Sequence, residues 1–290
     1  MNNILTAIIN ISKSTKMTLR HKSTGNNRVQ NMGEALEKYI QDVFSNTMEV
    51  SDQITRTALL SNTFSYLGNA NNPPDMMLLG GDAIEVKKIQ SPKSAIALNS
   101  SYPKAKLFAS SHMISKACRE SEVWEKKDMI YAIGVVHEHA ISSLAFVYGE
   151  DYCAENATYE KIKKTIKDGV ESIPNVAFSE SKELGHVNRV DPLGITYLRI
   201  RGMWGIENPF SVFDYVYQRN MDHAFNFMCI INDEKFNSFE NTIDLYEECK
   251  KNKRLHISDI RIKDSNNPAR LKPAKLITYY IPEQVATWSL

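Results

Sequence analysis

The chain has 290 residues, 35 Lys and Arg against 34 Asp and Glu for a net charge of +1, and 42% hydrophobic residues, which is ordinary globular composition. With 12 Gly and 10 Pro it is not collagen-like, its balanced charge argues against a disordered chain, and no run approaches the ~18 continuous apolar residues of a membrane helix. Cys118, Cys153, Cys229 and Cys249 lie far apart without CxxC spacing, so neither a zinc knuckle nor a disulfide framework is indicated.

The start, MNNILTAIINISK, has no basic residue before its apolar part and no small-residue cleavage site, so the expectation is a cytoplasmic protein with free thiols and no secretory signal. No linker or repeat demands a boundary, and the chain reads as a single domain over 1–290. Within it, 1–31 reads as a basic helix and arm: residues 3–12 suit a short amphipathic helix, and 13–31 a mobile polar loop. Residues 1–33 carry five basic residues and no acid, residues 250–290 carry nine basic residues against three acids, and the middle is therefore strongly acidic. Basic ends around an acidic centre fit a polyanion held over a site that collects cations, although terminal segments are also often basic by chance.

From Met32 the apolar positions Met32, Leu36, Tyr39, Ile40, Val43 and Phe44 recur at helical spacing. At ~100° per residue Glu37 stands at the edge of that apolar face, whereas Glu34 points nearly opposite. NNPPDMMLLGGDAIEVKKIQ, residues 71–90, reads as a β-hairpin with Gly80 and Gly81 supplying positive φ in the turn. Further strands are expected at 129–136, 143–148, 194–200, 224–231 and 275–281, and helices at 112–122 and 158–171. The fold class that follows is α/β, a central mixed sheet flanked by helices.

In the second hairpin strand Ala83, Glu85 and Lys87 share one face, because side chains alternate with period two. Asp75, at the start of the first strand, returns across the hairpin to the same end. Two converging carboxylates with a lysine alongside make a site for a hard cation and suit phosphodiester hydrolysis. Asp75 and Glu85 would hold Mg²⁺ with the Val86 carbonyl as a further ligand, Lys87 would orient or deprotonate the attacking water, and Glu37 would complete the shell or hold a second metal through water. Alone, the D-x9-E-x-K spacing is a weak pattern that a surface salt bridge also satisfies. The Pro74-Asp75 pair at the strand start, the hairpin and the upstream glutamate strengthen it.

Pro74-Asp75 followed by Glu85-Val86-Lys87 resembles the signature of the PD-(D/E)xK restriction-endonuclease-like fold. The segments MGEALEKY, NNPPDMMLLGGDAIEVKKI, ALNSSYPKAKL and LGHVNRVDPLGITYLRIRGMWGIENP resemble NgoPII-type restriction endonucleases across roughly residues 28–285. The resemblance implies a type II enzyme cutting double-stranded DNA at a short palindromic G·C site, expected to be GGCC, and leaving 5′-phosphate and 3′-hydroxyl ends. It also implies Asp75, Glu85 and Lys87 as the catalytic residues, a homodimer, and a methyltransferase that protects host sites. A repair or structure-selective nuclease of the same fold, or a non-catalytic DNA-binding module, are the alternatives.

Guanine offers acceptors that suit Arg or Lys, and the cytosine amino group suits Asp or Glu. Three segments carry such groups. The first is 97–107, with Ser101, Lys104 and Lys106 just after the catalytic strand. In the second, YLRIRG, Arg199 and Arg201 alternate onto one strand face, where DNA contact and a structural salt bridge are equal readings. The third and leading candidate is the turn-rich 259–275, inside a basic recognition segment 250–290, with Arg261, Lys263, Asp264, Asn267 and Arg270. His137-Glu138-His139 reads as a hairpin turn, Trp124 and Trp204 as core or interface, Tyr279-Tyr280 as packing, and Lys161, Lys163, Lys164 and Lys167 as a solvated helix face.

Overall fold

The computed structural model describes residues 2–14, 17–19, 28–69, 72–91, 93–179 and 183–283, without the side chains of residues 28–32 and 69. In chain order the elements are α1 (Ile4–Lys13), α2 (Arg28–Ser45), α3 (Gln53–Thr63), β1 (Phe64–Asn69), β2 (Asn72–Leu78), β3 (Ala83–Ile89), β4 (Ile96–Asn99), β5 (Lys106–Phe108), α4 (Lys116–Glu120), β6 (Lys126–His137) and β7 (Ala140–Tyr148). There follow α5 (Gly149–Tyr152), α6 (Asn156–Glu171), β8 (Ala177–Phe178), β9 (Gly185–Asn188), β10 (Leu198–Ile200), β11 (Trp204–Ile206), α7 (Pro209–Val212), β12 (His223–Asn232), α8 (Asp233–Asn237), α9 (Thr242–Lys251), β13 (Leu255–Lys263) and β14 (Leu271–Pro282).

One large mixed sheet runs β1-β2-β3-β6-β7-β12-β14-β13, with β5 added alongside β6. β3 pairs with β6 and β7 with β12 in parallel, and the other pairs of this sheet are antiparallel. The sheet is buried on both faces, so its middle strands are apolar on both sides. Ile84, Val86, Phe146 and Phe227 face a layer made by α1, α2 and α9. Ala83, Tyr131, Val147 and Ile230 face the other layer, with Leu98, Cys118, Tyr152 and Phe213. The expected mixed α/β architecture, a central sheet flanked by helices, is what the chain adopts. Among the described residues no helix is long and apolar enough to cross a membrane.

The first helix forms where its apolar periodicity placed it, capped by Asn3, whose side-chain oxygen accepts from the Leu5 and Thr6 N–H groups. The segment after it is not a free arm throughout. Leu19 N–H donates to the His139 carbonyl at 2.7 Å and Ile141 N–H to the Met17 carbonyl at 2.8 Å, so residues 17–19 extend the edge of the β6–β7 hairpin. Lys16, Arg20 and Lys22, on which much of the N-terminal charge rests, lie outside the described residues.

Several boundaries differ from expectation for identifiable reasons. The strand expected at 194–200 is reduced to Leu198–Ile200, because the Asp191 carboxylate accepts from Leu193 N–H and Thr196 N–H and turns the chain. The helix expected at 112–122 covers only Lys116–Glu120. Residues 259–275, expected as turn-rich, are mostly the β13–β14 hairpin, in which every residue from Leu255 to Lys263 has a cross-strand partner. In the β2–β3 turn only Gly80 takes positive φ, at 64°. Gly81 serves differently, since a Cβ there would come within 3.0 Å of the Leu78 Cβ.

Candidate active site

The β2–β3 ladder pairs Met77 with Ala83 and Met76 with Ile84, so the next row sets Asp75 opposite Glu85. There the Val86 N–H is taken by a side chain and not by the neighbouring strand: it donates to Asp75 Oδ2 at 2.6 Å. This bond fixes the Asp75 carboxylate at the point where β2 and β3 stop pairing. Alternation then carries Glu85 and Lys87 onto the same face, as the sequence pattern requires.

Lys87 Nζ donates to Glu85 Oε1 at 2.6 Å and to the Val86 carbonyl at 3.1 Å, and lies 3.8 Å from Asp75 Oδ2. The ammonium therefore sits among the three oxygen-bearing groups expected to hold a metal. The side chains are recessed, with Asp75 13%, Glu85 15% and Lys87 21% exposed. Burial pushes the Asp75 carboxyl well above the usual carboxylate range, reinforced by the Glu85 charge and opposed by Lys87. For Lys87 burial favours the neutral amine, but Glu85 and Asp75 outweigh it and hold the ammonium protonated above its ordinary value. Glu37, half-buried on α2, belongs to the same group of charges: burial raises it, Lys87 lowers it and Glu85 raises it again.

Among the described residues no three His, Cys, Asp or Glu side chains form a ready-made metal cluster. The donors that converge are two carboxylates and one main-chain carbonyl, hard oxygens that suit Mg²⁺ or Ca²⁺. Glu85 Oε2 is buried with no hydrogen-bond partner, an acceptor the fold leaves open beside Lys87. The residues therefore fit a hard divalent cation.

The structure separates the other candidates. Ser101 and Lys104 line a small cavity with Glu85, Tyr102 and Tyr131. Lys104 is buried, and burial pulls its ammonium down to about 8. Lys106 points elsewhere, 3.4 Å from Asp128 and 3.2 Å from Glu150, in a separate cavity of ≈ 530 Å³ with Asp82, Lys127 and Lys235. Arg199 and Arg201 both bind the Glu183 carboxylate, at 2.7 and 2.6 Å, on the exposed three-stranded sheet of β8, β9 and β10. Their charge has a structural partner.

In the β13–β14 hairpin Asp264 accepts from the Asn266 and Asn267 N–H groups, and Asn267 Oδ1 accepts from Ala269 N–H, so both side chains build the turn. Lys263 lies over the Tyr215 ring, 5.1 Å from its centroid, while Arg261 and Arg270 are exposed. β13 is five strand positions from β3, about 24 Å at ~4.8 Å per strand. Following the registers across the sheet, the 264–270 turn lies beyond the end where β3 begins.

Two features near the carboxylates escaped the sequence reading. Tyr131, opposite Glu85 on β6, accepts from Lys104 N–H at 2.7 Å and so ties the 97–107 segment beside the site. Tyr102 donates to Glu160 at 2.9 Å and stacks on Tyr159, docking α6 against the same segment. No local spacing signals either contact. His137, Glu138 and His139 form the exposed β6–β7 turn as expected, and Tyr280 packs on His223 with ring centroids 4.2 Å apart.

Comparison with known proteins gives one consistent result. The profile of the NgoPII restriction endonuclease family matches residues 2–263. The chain is 54% identical over 280 residues to "Type II restriction enzyme NgoPII" of Neisseria gonorrhoeae, covering 96% of this chain and 100% of that protein. No solved structure matches.

Proposed function

The chain belongs to the NgoPII restriction endonuclease family, and from that premise we propose that it is one Mg²⁺-dependent nuclease unit that cuts double-stranded DNA at GGCC, leaving 5′-phosphate and 3′-hydroxyl ends. The observation that carries the chemistry is the Lys87 ammonium lodged among Glu85, Val86 O and Asp75. Type II restriction enzymes work with a divalent metal, and Mg²⁺ supplies Lewis acidity at the scissile phosphate. Asp75, Glu85 and the Val86 carbonyl would bind it. Lys87, held protonated by two carboxylates, acts through its charge: it orients the attacking water and offsets the negative charge that builds on the phosphoryl oxygens. Glu37 holds a further water at the edge of the site.

Water adds to phosphorus and gives up a proton to solvent, the bond to the 3′-oxygen breaks and that oxygen takes up a proton to become the 3′-hydroxyl, and the phosphate stays on the 5′ side. A palindromic site is most simply read by a two-fold protein, so we propose a homodimer with one active centre per strand, working in the cytoplasm beside a methyltransferase that protects host sites. Of the ten residues expected at the DNA, Ser101, Lys104, Arg261, Lys263 and Arg270 are the proposed DNA-facing groups, while Lys106, Arg199, Arg201, Asp264 and Asn267 are held by partners within the chain. A four-base-pair site is only about 14 Å long at 3.4 Å per pair, shorter than the distance from β3 to β13. Arg261 and Arg270 are therefore assigned to flanking phosphates, with base reading left to groups nearer β3.

Plasmid digestion in Mg²⁺ tests the assignment: discrete bands are expected, with run-off sequencing placing every end within GGCC. Cutting governed by flaps or mismatches would favour a structure-selective nuclease, and metal-independent binding without cutting would favour a non-catalytic module. Replacing Arg261 and Arg270 together by alanine should reduce the slope of log K against log salt by roughly 2 while leaving the cut sequence unchanged. Relaxed cutting in that variant would return the base-reading role to the hairpin.

A further inference from the structure

Lys104 sits beside the carboxylates in an unusual state for a lysine. It is 6% exposed. Its Nζ donates to Ser101 Oγ and, at 3.2 Å, to the Tyr102 carbonyl, and it lies 5.1 Å from the Tyr102 ring centroid. Among the described residues no carboxylate forms an ion pair with it, although Lys87, Lys106 and Lys235 nearby each have one. An ammonium carries three N–H donors, and two neutral oxygens satisfy two of them. The Glu85 charge favours the Lys104 ammonium but burial outweighs it, and a buried lysine short of an ion pair is a candidate to meet an incoming anion.

The surroundings indicate which anion. Lys104 shares its small cavity with Glu85, and its backbone is bonded to Tyr131, the residue paired with Glu85 across β3 and β6. The cavity that Ser101 and Lys104 line is bordered by Glu85, itself recessed, so it adjoins the place a phosphodiester bound at the carboxylates would occupy. Ser101, already bonded to Nζ, adds a hydroxyl at the same point.

We propose that Lys104 is a substrate-binding residue of the catalytic pocket whose counter-ion is a non-bridging oxygen of the DNA backbone, a role distinct from that of Lys87, which is committed to the carboxylates. This assignment rests on the nuclease reading. It makes Lys104 a group that pairs with one phosphate, where a base reader would discriminate sequence.

The test uses the full chain in Ca²⁺ with duplexes containing the cleaved site, each with one phosphate near the cut replaced by a neutral methylphosphonate. One position should weaken wild-type binding about 10- to 100-fold, the range for losing a charged hydrogen bond. Lys104→Met should bind the unmodified duplex weaker by a similar factor and be indifferent to the methylphosphonate at that position alone. Lys104→Gln, which can keep the bonds to Ser101 and Tyr102, should behave like Lys104→Met, and neither should melt below wild type. Losses that multiply at every position, unmodified binding at wild-type strength, or a lowered melting temperature with unselective weakening would overturn the proposal. A wild-type protein that leaves plasmid uncut in Mg²⁺ would instead overturn the nuclease reading itself.

Discussion

Lys87→Ala is expected to lower cleavage by about 10³-fold, the scale of losing a key charge-stabilising donor, while enlarging the protein's response to Ca²⁺. Lys87 Nζ holds the oxygens a divalent ion would use, bonding Glu85 Oε1 at 2.6 Å and the Val86 carbonyl at 3.1 Å. Removing it leaves Asp75 and Glu85 close together, mostly buried and without their neutralising charge. Breaking a buried pair in this way costs about 3 kcal/mol, so the metal-free variant should melt below wild type. Ca²⁺ then enters a site with no competing ammonium, and its binding to the native state raises stability. The Ca²⁺-induced rise in melting temperature should therefore be larger in Lys87→Ala than in wild type, although cleavage in Mg²⁺ has fallen. Asp75→Asn should lose both, because it removes a ligand and leaves the competitor. Thermal melts with and without Ca²⁺, beside single-turnover cleavage in Mg²⁺, separate the two variants. A Lys87→Ala protein that cuts normally, or whose melting ignores Ca²⁺, would refute the assignment.

The hairpin that carries Asp75, Glu85 and Lys87 was legible in the sequence because its geometry is local. Eleven positions or fewer separate Asp75 from Val86, the register follows from the turn, and alternation along one strand places Glu85 with Lys87. Glu37 was legible for a similar reason, since helical periodicity alone sets it at the edge of an apolar face. What was not legible depends on partners brought from far along the chain. For Arg199 and Arg201 DNA contact and a salt bridge stayed equal readings, because Glu183, which binds both, lies on the far side of the Asp191 turn. Asp264 and Asn267 looked like base readers because polar residues near a proline serve equally to cap a turn, which is how the fold uses them. Lys104 was named as a DNA-contact candidate, but its burial was not legible, because nothing in KAK reveals that Tyr131, 27 residues on, bonds its backbone N–H.

A stability effect as large is expected at Lys235, which the charge pattern never singled out. Its Nζ donates to Asp82 Oδ1 and Asp128 Oδ2, each at 2.7 Å, and Tyr148 donates to the other Asp82 oxygen at 2.7 Å. Asp82 precedes β3, Asp128 lies on β6, Tyr148 ends β7 and Lys235 follows β12, so one ammonium ties four strands together at the end where β3 begins. Asp82 is 8% exposed. Lys235→Met leaves its carboxylate buried with only the Tyr148 hydroxyl, whereas Asp128 keeps Lys106 at 3.4 Å. The expected loss is about 3 kcal/mol, a melting temperature lower by roughly 6–12 °C for a chain of this size. Its pH dependence follows from Asp128. Burial pushes that carboxyl up, but bonds from Lys235 and then Lys106 outweigh burial and bring it below its ordinary value. A depressed acid contributes stability that is present above the unfolded value, near ~3.9, and lost as pH falls through the folded one. The gap between wild type and Lys235→Met should hold steady near neutral pH and narrow below pH ~4. Asp82→Asn in the Lys235→Met background should recover part of the loss, because it removes the stranded charge; a double variant less stable than Lys235→Met would show that Asp82 is held by something other than this ammonium.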